Sequence, residues 1–536
     1  MKIISVEQMQ TLERITNDSG VDYAEMMLRA GTGVADVLET QIDKNSDSIL
    51  FLIGPGNNGG DGLVAARILH IKGYDVLVYL SRIRDPQQDN EFRQVLENSV
   101  RIIIEEKDQA HQALREAVQS SSIIIDALLG TGSVPPLRGV IAEILKDVHI
   151  ILQQTQKPFI QSVQQPTEIT GRRHRIYAVD GPSGLDFDTG QIDELALPAN
   201  TTVTFAYPKW GHLKAPGAHF SGSLMVVDIG TTQTNNLNAL FDLADSEMIR
   251  NWLPKRAPDA HKGSFGRAMI VAGSANYTGA AVLSTMGALR AGAGLVTLAI
   301  PSNLHTAVAS AIPESTFILL PHTMGVINEH AASVVKFECQ GYTSLLIGPG
   351  LSHTTESHRF INSLFQPITQ TRKTGFISAA QTSTGQANTP QFPKMVIDAD
   401  GLNLLTQIPD WHKYLPKETI LTPHPGEMAR LTGLSVQDIN HDRINTALHW
   451  AKIWDQIVVL KGAHTVNAHP DGRAIILPFS NAGLSTAGTG DVLAGAIVSM
   501  LAQGLAPFEA AVTGGYIHGL AGELCRQNIG TAGMIA

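Results

Sequence analysis

The sequence has very little cysteine, since Cys339 and Cys525 are the only two among 536 residues. A secreted scaffold held by disulfides needs many more, and neither thiol stands in a metal-binding spacing. Two isolated thiols are typical of the reducing cytosol, so we expect a cytoplasmic protein. The chain also lacks long apolar runs, including an N-terminal one. We therefore expect neither a signal peptide nor a membrane-spanning helix, which needs about 20 apolar residues.

Charge is also scarce, at 16% of residues against about 25% in a typical soluble domain. The net charge of −10 and the isoelectric point near 6.0 argue against a general nucleic-acid binder. No Walker A pattern occurs, so a P-loop nucleotidase is not supported. What the chain does have is 43% apolar residues and 49 glycines. This composition excludes a disordered, coiled-coil or collagen-like chain and favours an α/β enzyme acting on small molecules.

Strand and helix patterns alternate along the chain, stop at the polar segment TTQTNNLN (residues 231–238), and then start again. Alternation of this kind predicts parallel sheets covered by helices on both faces. We therefore predict two three-layer α/β/α domains, residues 1–235 and 236–536. Two polar segments, 153–175 and 369–393, are predicted to be surface loops. The predicted strands are 48–53, 74–80, 122–127, 176–180, 224–229, 268–272, 295–299, 344–347, 395–397, 419–422 and 456–460.

The first predicted strand is followed by the glycine-rich turn GPGNNGGDG (residues 54–62), which opens a helix. Bare backbone N–H groups at a helix start bind anions well. The turn contains the dinucleotide pattern G-x-G-x-x-G, but the next strand ends in Ser81 and Arg82 without the acidic residue that holds a ribose. Asn57, Asn58 and Asp61 suit the gripping of a ligand or an ion. The alternative is that they only cap the helix.

Two further strands end in polar turns, DALLGTG (126–132) and VDGPSGLD (179–186). Because ligands bind at the carboxyl ends of parallel strands, we expect Asn58, Asp126, Asp180 and Ser183 to converge. Oxygen groups of this kind can hold a hard cation. Each aspartate could instead be only a helix cap.

These three segments resemble the NAD(P)H-hydrate epimerase domain, a Rossmann-like fold, over residues 1 to about 230. The resemblance implies a potassium ion at Asn58, Asp126 and Ser183, and it implies that Asp180 binds substrate and is the acid/base that inverts the hydrated carbon. One departure is Gly181, where the family more often has a branched apolar residue. The other residues that the resemblance places on the hydrated cofactor are Asn57, Asn58, Gly59, Gly60, Asp61, Gly130, Thr131, Gly132 and Ser133.

The second half carries its strongest motif in STAGTGDVLAG (residues 485–495), where glycines precede a helix and Asp491 lies in its first turn. Free N–H groups there stabilise a transferred phosphoryl group, and Asp491 can take the proton of an attacking hydroxyl. The alternative is a capped, buried helix with a face of small residues. Lys461 follows another strand and can reach a nucleotide phosphate. His424 also leaves a strand end and either faces the crevice or is structural.

This half resembles the ribokinase-like superfamily through AGTGDVLAG. It resembles more narrowly the ADP- or ATP-dependent NAD(P)H-hydrate dehydratases, through TPHPGEMARL, LKGAHT and GAAVLSTMGALRAGAGLVTLA. The family usually has glycine where this chain has Ser352. The resemblance makes Asp491 catalytic and places the hydrated cofactor against Ala280, Gly350, His424 and Asp491. It places ADP or ATP, with Mg²⁺, on Lys461, Gly462, Ala463, His464, Thr465 and Gly490.

Together the two resemblances imply a bifunctional enzyme that repairs hydrated NADH and NADPH. The first domain would interconvert the R and S hydrates, and the second would phosphorylate the S hydrate, whose phosphate then leaves. Two alternatives stay open: a kinase that stops at a stable phosphate ester, and a first domain that only binds a nucleotide. The sequence does not decide between ADP and ATP. Arg82 and Arg84 could meet a 2′-phosphate. We also expect a homo-oligomer, although no interface is visible in the sequence.

Overall fold

The computed structural model describes residues 1–132, 134–155, 174–231, 241–365 and 392–536. The predicted domain boundary at 235 and 236 and most of the predicted loops 153–175 and 369–393 lie outside the described residues. The chain divides into two compact units, Lys2–Ala239 and Leu240–Ala536 with Met1. Within the described ranges, no helix has both the length and the apolar character needed to cross a membrane.

The N-terminal unit is built on one seven-stranded sheet in which every pair of neighbours is parallel. The strand order is β3-β2-β1-β4-β5-β6-β7. The strands are β1 (Ser48–Ile53), β2 (Asp75–Leu80), β3 (Arg101–Ile104), β4 (Ile123–Ala127), β5 (Arg175–Val179), β6 (Thr201–Phe205) and β7 (Ser223–Val227). The helices are α1 (Val6–Asp18), α2 (Tyr23–Glu39), α3 (Asn57–Ile71), α4 (Asn90–Glu97), α5 (Gln112–Ser120), α6 (Gly139–Thr155) and α7 (Gly217–Ser221).

Both faces of this sheet are covered, as the side chains of β1 show. Phe51 and its neighbours on one face pack into a core with α1, α2 and α3. Leu50 and Leu52 point to the other face and pack into a second core with α5 and α6. Because alternate residues of a strand face opposite sides, a strand buried on both sides is apolar along its buried length, as in residues 49–53 of β1. The unit therefore has the predicted three layers.

The C-terminal unit is built on a ten-stranded sheet of order β11-β10-β9-β14-β15-β16-β17-β18-β19-β8, with a separate hairpin of β12 and β13. The strands are β8 (Phe241–Leu243), β9 (Arg267–Val271), β10 (Leu295–Pro301), β11 (Thr316–Leu320), β12 (His322–Thr323), β13 (Val326–Ile327), β14 (Ser344–Ile347), β15 (Lys394–Ile397), β16 (Ile420–Leu421), β17 (Ile457–Leu460), β18 (Val466–Ala468) and β19 (Ala474–Ile476). The helices are α8 (Ser246–Trp252), α9 (Thr278–Arg290), α10 (His305–Ala309), α11 (Ala331–Glu338), α12 (Thr355–Phe365), α13 (Asp400–Leu405), α14 (Pro425–Thr432), α15 (Val436–His441), α16 (Arg443–Trp454), α17 (Thr489–Ala502) and α18 (Pro507–Ile529).

The predicted fold class is confirmed, because both units are α/β with mainly parallel sheets. The predicted strands are present, with ends that differ by one or two residues. The sequence analysis did not predict β3, β6, β8, β11, β12, β13, β18 or β19. It also did not predict antiparallel pairing, which occurs between β12 and β13, between β17 and β18 and between β18 and β19. The predicted loop 153–175 begins too early and ends too late, since α6 runs to Thr155 and β5 begins at Arg175.

Candidate active sites

The glycine-rich turn of the N-terminal unit leads directly from β1 into α3. Within the described chain no side chain caps α3, whose N-cap residue is Gly56. Asn57, Asn58 and Asp61 lie inside the helix, so the alternative that they serve as its N-cap is wrong. The turn is held from outside by Arg84, whose Nη2 donates to the carbonyl oxygens of Gly54 and Gly56, each over 2.7 Å. Arg84 also forms an ion pair with Asp89. Its guanidinium is therefore already engaged by the turn and by this carboxylate.

A cavity of about 680 Å³ opens between this turn, α1, α2 and the end of β2. Asn57, Gly60 and Asp61 line it, together with Glu13 of α1 and Arg82. Close packing surrounds several glycines of the turn. A Cβ at Gly59 would lie 2.2 Å from the carbonyl oxygen of Gly54, and one at Gly60 would lie 2.7 Å from the Met27 sulfur. The turn therefore presents bare backbone to the cavity.

Asn58, Asp126 and Ser183 come from three separate segments and meet around Leu129. The Ser183 hydroxyl donates to Asp126 Oδ1 over 2.6 Å and accepts the Leu129 N–H over 2.9 Å. Asn58 Nδ2 donates to the Leu129 carbonyl over 3.0 Å. Asn58 Oδ1 is buried and has no partner among the described residues, which makes it an available oxygen ligand. Among all the residues that the structure describes, no group of three or more His, Cys, Asp or Glu side chains is placed to hold a metal ion.

Asp180 directly follows β5 in a left-handed conformation with φ +63°. Its Oδ1 accepts hydrogen bonds from Lys209 Nζ over 2.7 Å and from Thr204 Oγ1 over 2.8 Å. Burial acts to raise the pKa of Asp180, but the charge and hydrogen bond of Lys209 outweigh it and lower the pKa below its ordinary value. Asp180 is therefore held as a carboxylate.

Asp61 lies in the same electrostatic neighbourhood but is perturbed in the opposite direction. Burial raises its pKa well above the ordinary value, and the charges of Asp180 and Glu13 raise it further. Two carboxyl groups whose environments push their pKa values apart can act as an acid and a base.

His212 supports the Asp180 loop through its backbone. Its Nε2 donates to the Asp180 carbonyl over 2.8 Å, and its Nδ1 accepts the Lys209 N–H over 3.1 Å. Burial, followed by the charge of Lys209, lowers the pKa of His212 to about 4, so the ring is neutral and its tautomer is fixed. Gly181, the departure from the family pattern, lies under the Phe187 ring, where a Cβ would come within 2.5 Å of Cζ.

The sequence analysis missed Thr204, Lys209 and His212. The signal was the run TTVTF, whose β-branched residues predict a strand. Polar residues after that strand belong to the same sheet edge as Asp180. Of the other predicted residues, Gly130 adjoins Asn58, whose Cβ is 3.2 Å from the position of an added Cβ. Thr131 and Gly132 continue that loop, and Ser133 lies outside the described residues.

In the C-terminal unit, three adjacent strands end in interacting polar residues. Asp398 follows β15, Thr422 follows β16 and Lys461 follows β17. Lys461 Nζ donates to Asp398 Oδ1 over 2.7 Å, and Thr422 Oγ1 donates to the same oxygen over 2.7 Å. Lys461 Nζ is also 3.7 Å from Glu427 Oε2. The ammonium that was predicted to meet a nucleotide is thus held by two carboxylates.

Asp491 lies in the first turn of α17. The N-cap is Gly488, in a left-handed conformation with φ +93°, and no described side chain caps this helix start. Burial and then the charge of Asp398 raise the pKa of Asp491 to about 7, against the opposing charge of Lys461. A carboxyl group with this pKa can act as a general base near neutral pH.

His424 is the N-cap of α14, where its Nδ1 accepts the N–H of Gly426 over 2.9 Å. His424 therefore has a structural role as a helix cap, although its side chain is half exposed. Its partner Glu427, which the sequence analysis missed, accepts the His424 N–H over 2.8 Å. Burial raises the pKa of Glu427 to about 7. The signal for it was the capping-box spacing from His424 to Glu427.

The remaining predicted residues also lie close to one another. A Cβ at Gly350, which has φ +66°, would lie 2.9 Å from the Ala280 Cβ. Ser352 has φ +67°, a left-handed conformation that favours glycine, the residue expected at this position from the sequence resemblance. In the turn of residues 461–465, Thr465 Oγ1 donates to the Gly462 carbonyl over 2.9 Å. A Cβ at Gly490 would lie 3.6 Å from Lys461 Nζ, so the turn and the start of α17 adjoin.

Two α/β units, each with a polar cluster at the carboxyl ends of its strands, are typical of an enzyme that acts on small molecules. The family model for NAD(P)H-hydrate dehydratase matches residues 268–536, and the model for the YjeF-related protein N-terminus matches residues 23–211. The bifunctional NAD(P)H-hydrate repair enzyme Nnr of Thermofilum pendens is 32% identical over 100% of this chain and 94% of its own length. The Nnr of Escherichia coli K12 is 32% identical over 96% of this chain and 88% of its own. The chain belongs to the family of bifunctional NAD(P)H-hydrate repair enzymes.

Among solved structures, the ADP/ATP-dependent NAD(P)H-hydrate dehydratase from Bacillus subtilis, co-crystallized with ATP/Mg²⁺, is 28% identical to this chain. The match covers 55% of this chain and 93% of that one, with a TM-score of 0.44.

Proposed function

We propose that residues 1–235 interconvert the R and S hydrates of NADH and NADPH, and that residues 236–536 dehydrate the S hydrate at the expense of ADP or ATP. The products are NADH or NADPH, AMP or ADP, and phosphate. The observation that carries the proposal is that two carboxyl groups, one in each unit of a chain of this family, have pKa values shifted in opposite directions. Asp180 is kept ionised by Lys209, and Asp491 has its pKa raised to about 7 at an open helix start.

In the epimerase site, the hydroxyl of the hydrate is on a carbon bonded to the ring nitrogen. The Asp180 carboxylate accepts the hydroxyl proton as the carbon–oxygen double bond forms and the bond from that carbon to the ring nitrogen breaks. The nitrogen then re-forms the bond from the opposite face of the carbonyl, and Asp180 returns the proton to the oxygen. Lys209 and Thr204 hold that carboxylate in place, and the glycine-rich turn of residues 57–61 binds the substrate beside the cavity. The loop of residues 130–133 completes the binding residues in this proposal.

The residues present fit the proposed potassium ion. Asn58 Oδ1 is a buried oxygen without a described partner, and Asp126 and Ser183 supply a carboxylate and a hydroxyl around the same Leu129. Oxygen ligands of this kind suit a hard cation. When bound, potassium would supply positive charge beside the substrate. Asn58, Asp126 and Ser183 would hold it and so tie the ends of β1, β4 and β5 together.

In the dehydratase site, the substrates are the S hydrate and a nucleotide with its Mg²⁺. The hydrate lies against Ala280, Gly350 and His424, and the nucleotide lies on residues 461–465 and Gly490. Asp491 takes the hydroxyl proton while the hydroxyl oxygen attacks the terminal phosphoryl group. The backbone N–H groups at the start of α17 and the Lys461 ammonium stabilise the charge that develops. The carbon–oxygen bond then breaks as the ring nitrogen donates electrons, and loss of a ring proton restores the dihydropyridine.

The test is an assay of the full chain with hydrated NADH, Mg²⁺ and ADP or ATP in turn. The reduced-nicotinamide absorbance should return, and both epimers should be consumed faster than spontaneous epimerisation allows. A stable phosphate ester without returning absorbance would show a kinase instead. Consumption of the S hydrate alone would show that the N-terminal unit only binds. Asp410→Asn, a change at an exposed residue outside both sites, is the control for the aspartate variants described below. The homo-oligomer and the cytoplasmic location stay predictions from the sequence.

A further inference from the structure

The residues Asp398, Thr422 and Lys461 form a chain of contacts across the ends of β15, β16 and β17. Asp398 and Thr422 are buried, and Lys461 is 16% exposed at its side chain. A buried ion pair is weak grounds for stability, because desolvation of both charges offsets their attraction. Stability alone therefore does not explain the ion pair between Lys461 and Asp398.

The explanation lies in what the ammonium faces. Lys461 Nζ would be 3.6 Å from a Cβ at Gly490, the residue before Asp491. On the other side it lies 3.7 Å from Glu427 Oε2. Removal of its 2.7 Å bond to Asp398 would take away the shortest contact that holds Lys461 Nζ beside the start of α17.

The charges around Asp491 come from several elements. Burial raises its pKa most, and Asp398, Asp400 and Glu427 raise it further, while Lys461 lowers it. On α18, burial lowers the pKa of His518 to about 4, so this ring adds no charge at neutral pH. Asp398 thus holds the cation that lowers the pKa of Asp491, and it is also the anion that raises that pKa most.

Building on the proposed dehydration reaction, we propose that Asp398 is a positioning residue. It holds the Lys461 ammonium at the start of α17, between the nucleotide phosphate and the Asp491 carboxylate, and does not itself touch the substrate. Thr422 supports it by donating a hydrogen bond to the same carboxylate oxygen.

The test compares Asp398→Asn with the wild-type full chain, in the dehydration assay and in calorimetric binding of Mg²⁺ and ATP. Loss of one charge-assisted hydrogen bond should raise the KM and the Kd for the nucleotide about 10-fold. Loss of a negative charge near Asp491 should also lower the pKa of that carboxyl group. The acidic limb of the plot of kcat against pH should then move down by about one pH unit. Asp400→Asn removes a charge without contacting Lys461, so it should move the limb but leave the nucleotide KM unchanged. The exposed Asp410→Asn should change neither.

A folded Asp398→Asn protein with wild-type KM and an unmoved limb would overturn the proposal. If that variant does not fold, Lys461→Gln tests the same arrangement with the opposite sign. Its limb should move to higher pH and its nucleotide Kd should rise, and an unchanged limb would again overturn the proposal. A wild-type chain without nucleotide-dependent dehydration would instead contradict the proposed function, while the calorimetry would still report on Asp398.

Discussion

Lys209 donates to Asp180 over 2.7 Å inside the N-terminal unit, although 29 residues separate them in the chain. The lysine is almost fully buried, and its three protons are taken by Asp180 Oδ1, Thr204 Oγ1 and the Phe205 carbonyl. The pair explains how a buried carboxyl group stays ionised. It also makes the proposed proton acceptor of epimerisation depend on a residue of the next strand's loop.

The change Lys209→Met keeps the length of the side chain and removes its charge. The pKa of Asp180 should then rise, because burial is no longer outweighed, and less carboxylate should be present at neutral pH. We expect epimerisation to fall by about 10² or more, with its acidic limb at higher pH, and dehydration of the S hydrate to be unaffected. The measurement is the rate of R-hydrate consumption against pH, with Lys214→Met as the matched control. A soluble variant with the wild-type rate at neutral pH would show that the ion pair is only structural.

The change Asp491→Asn tests the division of labour between the two sites. Asparagine keeps the shape but cannot accept the hydroxyl proton, so turnover of the S hydrate should fall by about 10²–10⁴. Nucleotide binding and epimerisation should change little. The reciprocal variant Asp180→Asn should stop R-hydrate consumption beyond the spontaneous rate while S turnover continues. Loss of both activities in a folded Asp491→Asn protein would contradict two independent sites.

Glu427 predicts a pH dependence of stability. Its pKa is raised from an ordinary value near 4.5 to about 7, so the folded state holds this proton more tightly than the unfolded state. The stability that protonated Glu427 contributes to the folded state at low pH is therefore lost as the pH rises from about 4.5 through 7. Glu427→Gln should raise the Tm at pH 8 by a few degrees, about what 1 kcal/mol gives in a domain this large, with a smaller gain at pH 5. Thermal melts at the two pH values check this, and a loss at pH 8 would refute it.

Potassium removal should slow epimerisation and leave dehydration unchanged. Replacement of potassium by a bulky organic cation removes the ion that Asn58, Asp126 and Ser183 are proposed to hold. Asn58→Ala removes the unpartnered oxygen and should raise the potassium concentration for half-maximal rate by about 10- to 100-fold. The measurement is the epimerisation rate against potassium concentration. An equal rate with and without the ion would rule out the potassium site.

Gly181 predicts a packing conflict between any side chain at this position and Phe187. A valine at this position, closer to the family pattern, would drive its Cβ into the Phe187 ring. Overpacking should cost about 1–3 kcal/mol in the free energy of unfolding, and a smaller residue at Phe187 should recover part of it. Chemical denaturation of Gly181→Val, Phe187→Leu and the double variant gives the coupling energy. Additive effects would show that the two positions do not compete for space.

The sequence predicts the layered fold well because apolar runs and glycine turns are local signals. β1 shows this, since all of its residues after Ser48 are apolar and it ends in a recognisable turn. Short strands carry a weaker signal, and β18 and β19, of three residues each, were missed for that reason. Their antiparallel pairing depends on a tight connection rather than on a crossover helix.

Only the site residues that lie in recognisable sequence motifs were predicted. Asp180 and Asp491 are visible in the sequence because glycines surround them. Lys209 has no such signal, since only the pairing of β5 with β6 brings it to Asp180. Likewise, the motif marks Lys461 as a nucleotide ligand, but only the neighbouring strands show that Asp398 already holds it. Residues that act on another side chain, rather than on the ligand, follow from topology.

The position of β8 has a practical consequence for dissecting the molecule. This strand of only three residues, Phe241–Leu243, is the outermost of the ten-stranded sheet and pairs with the buried β19. A shortened chain that started at residue 244 would keep the pairing of β19 with β18 but leave its other edge unpaired and ready to join another chain. Such a truncated protein would aggregate for reasons unrelated to catalysis. A separately expressed dehydratase should therefore begin upstream of Phe241.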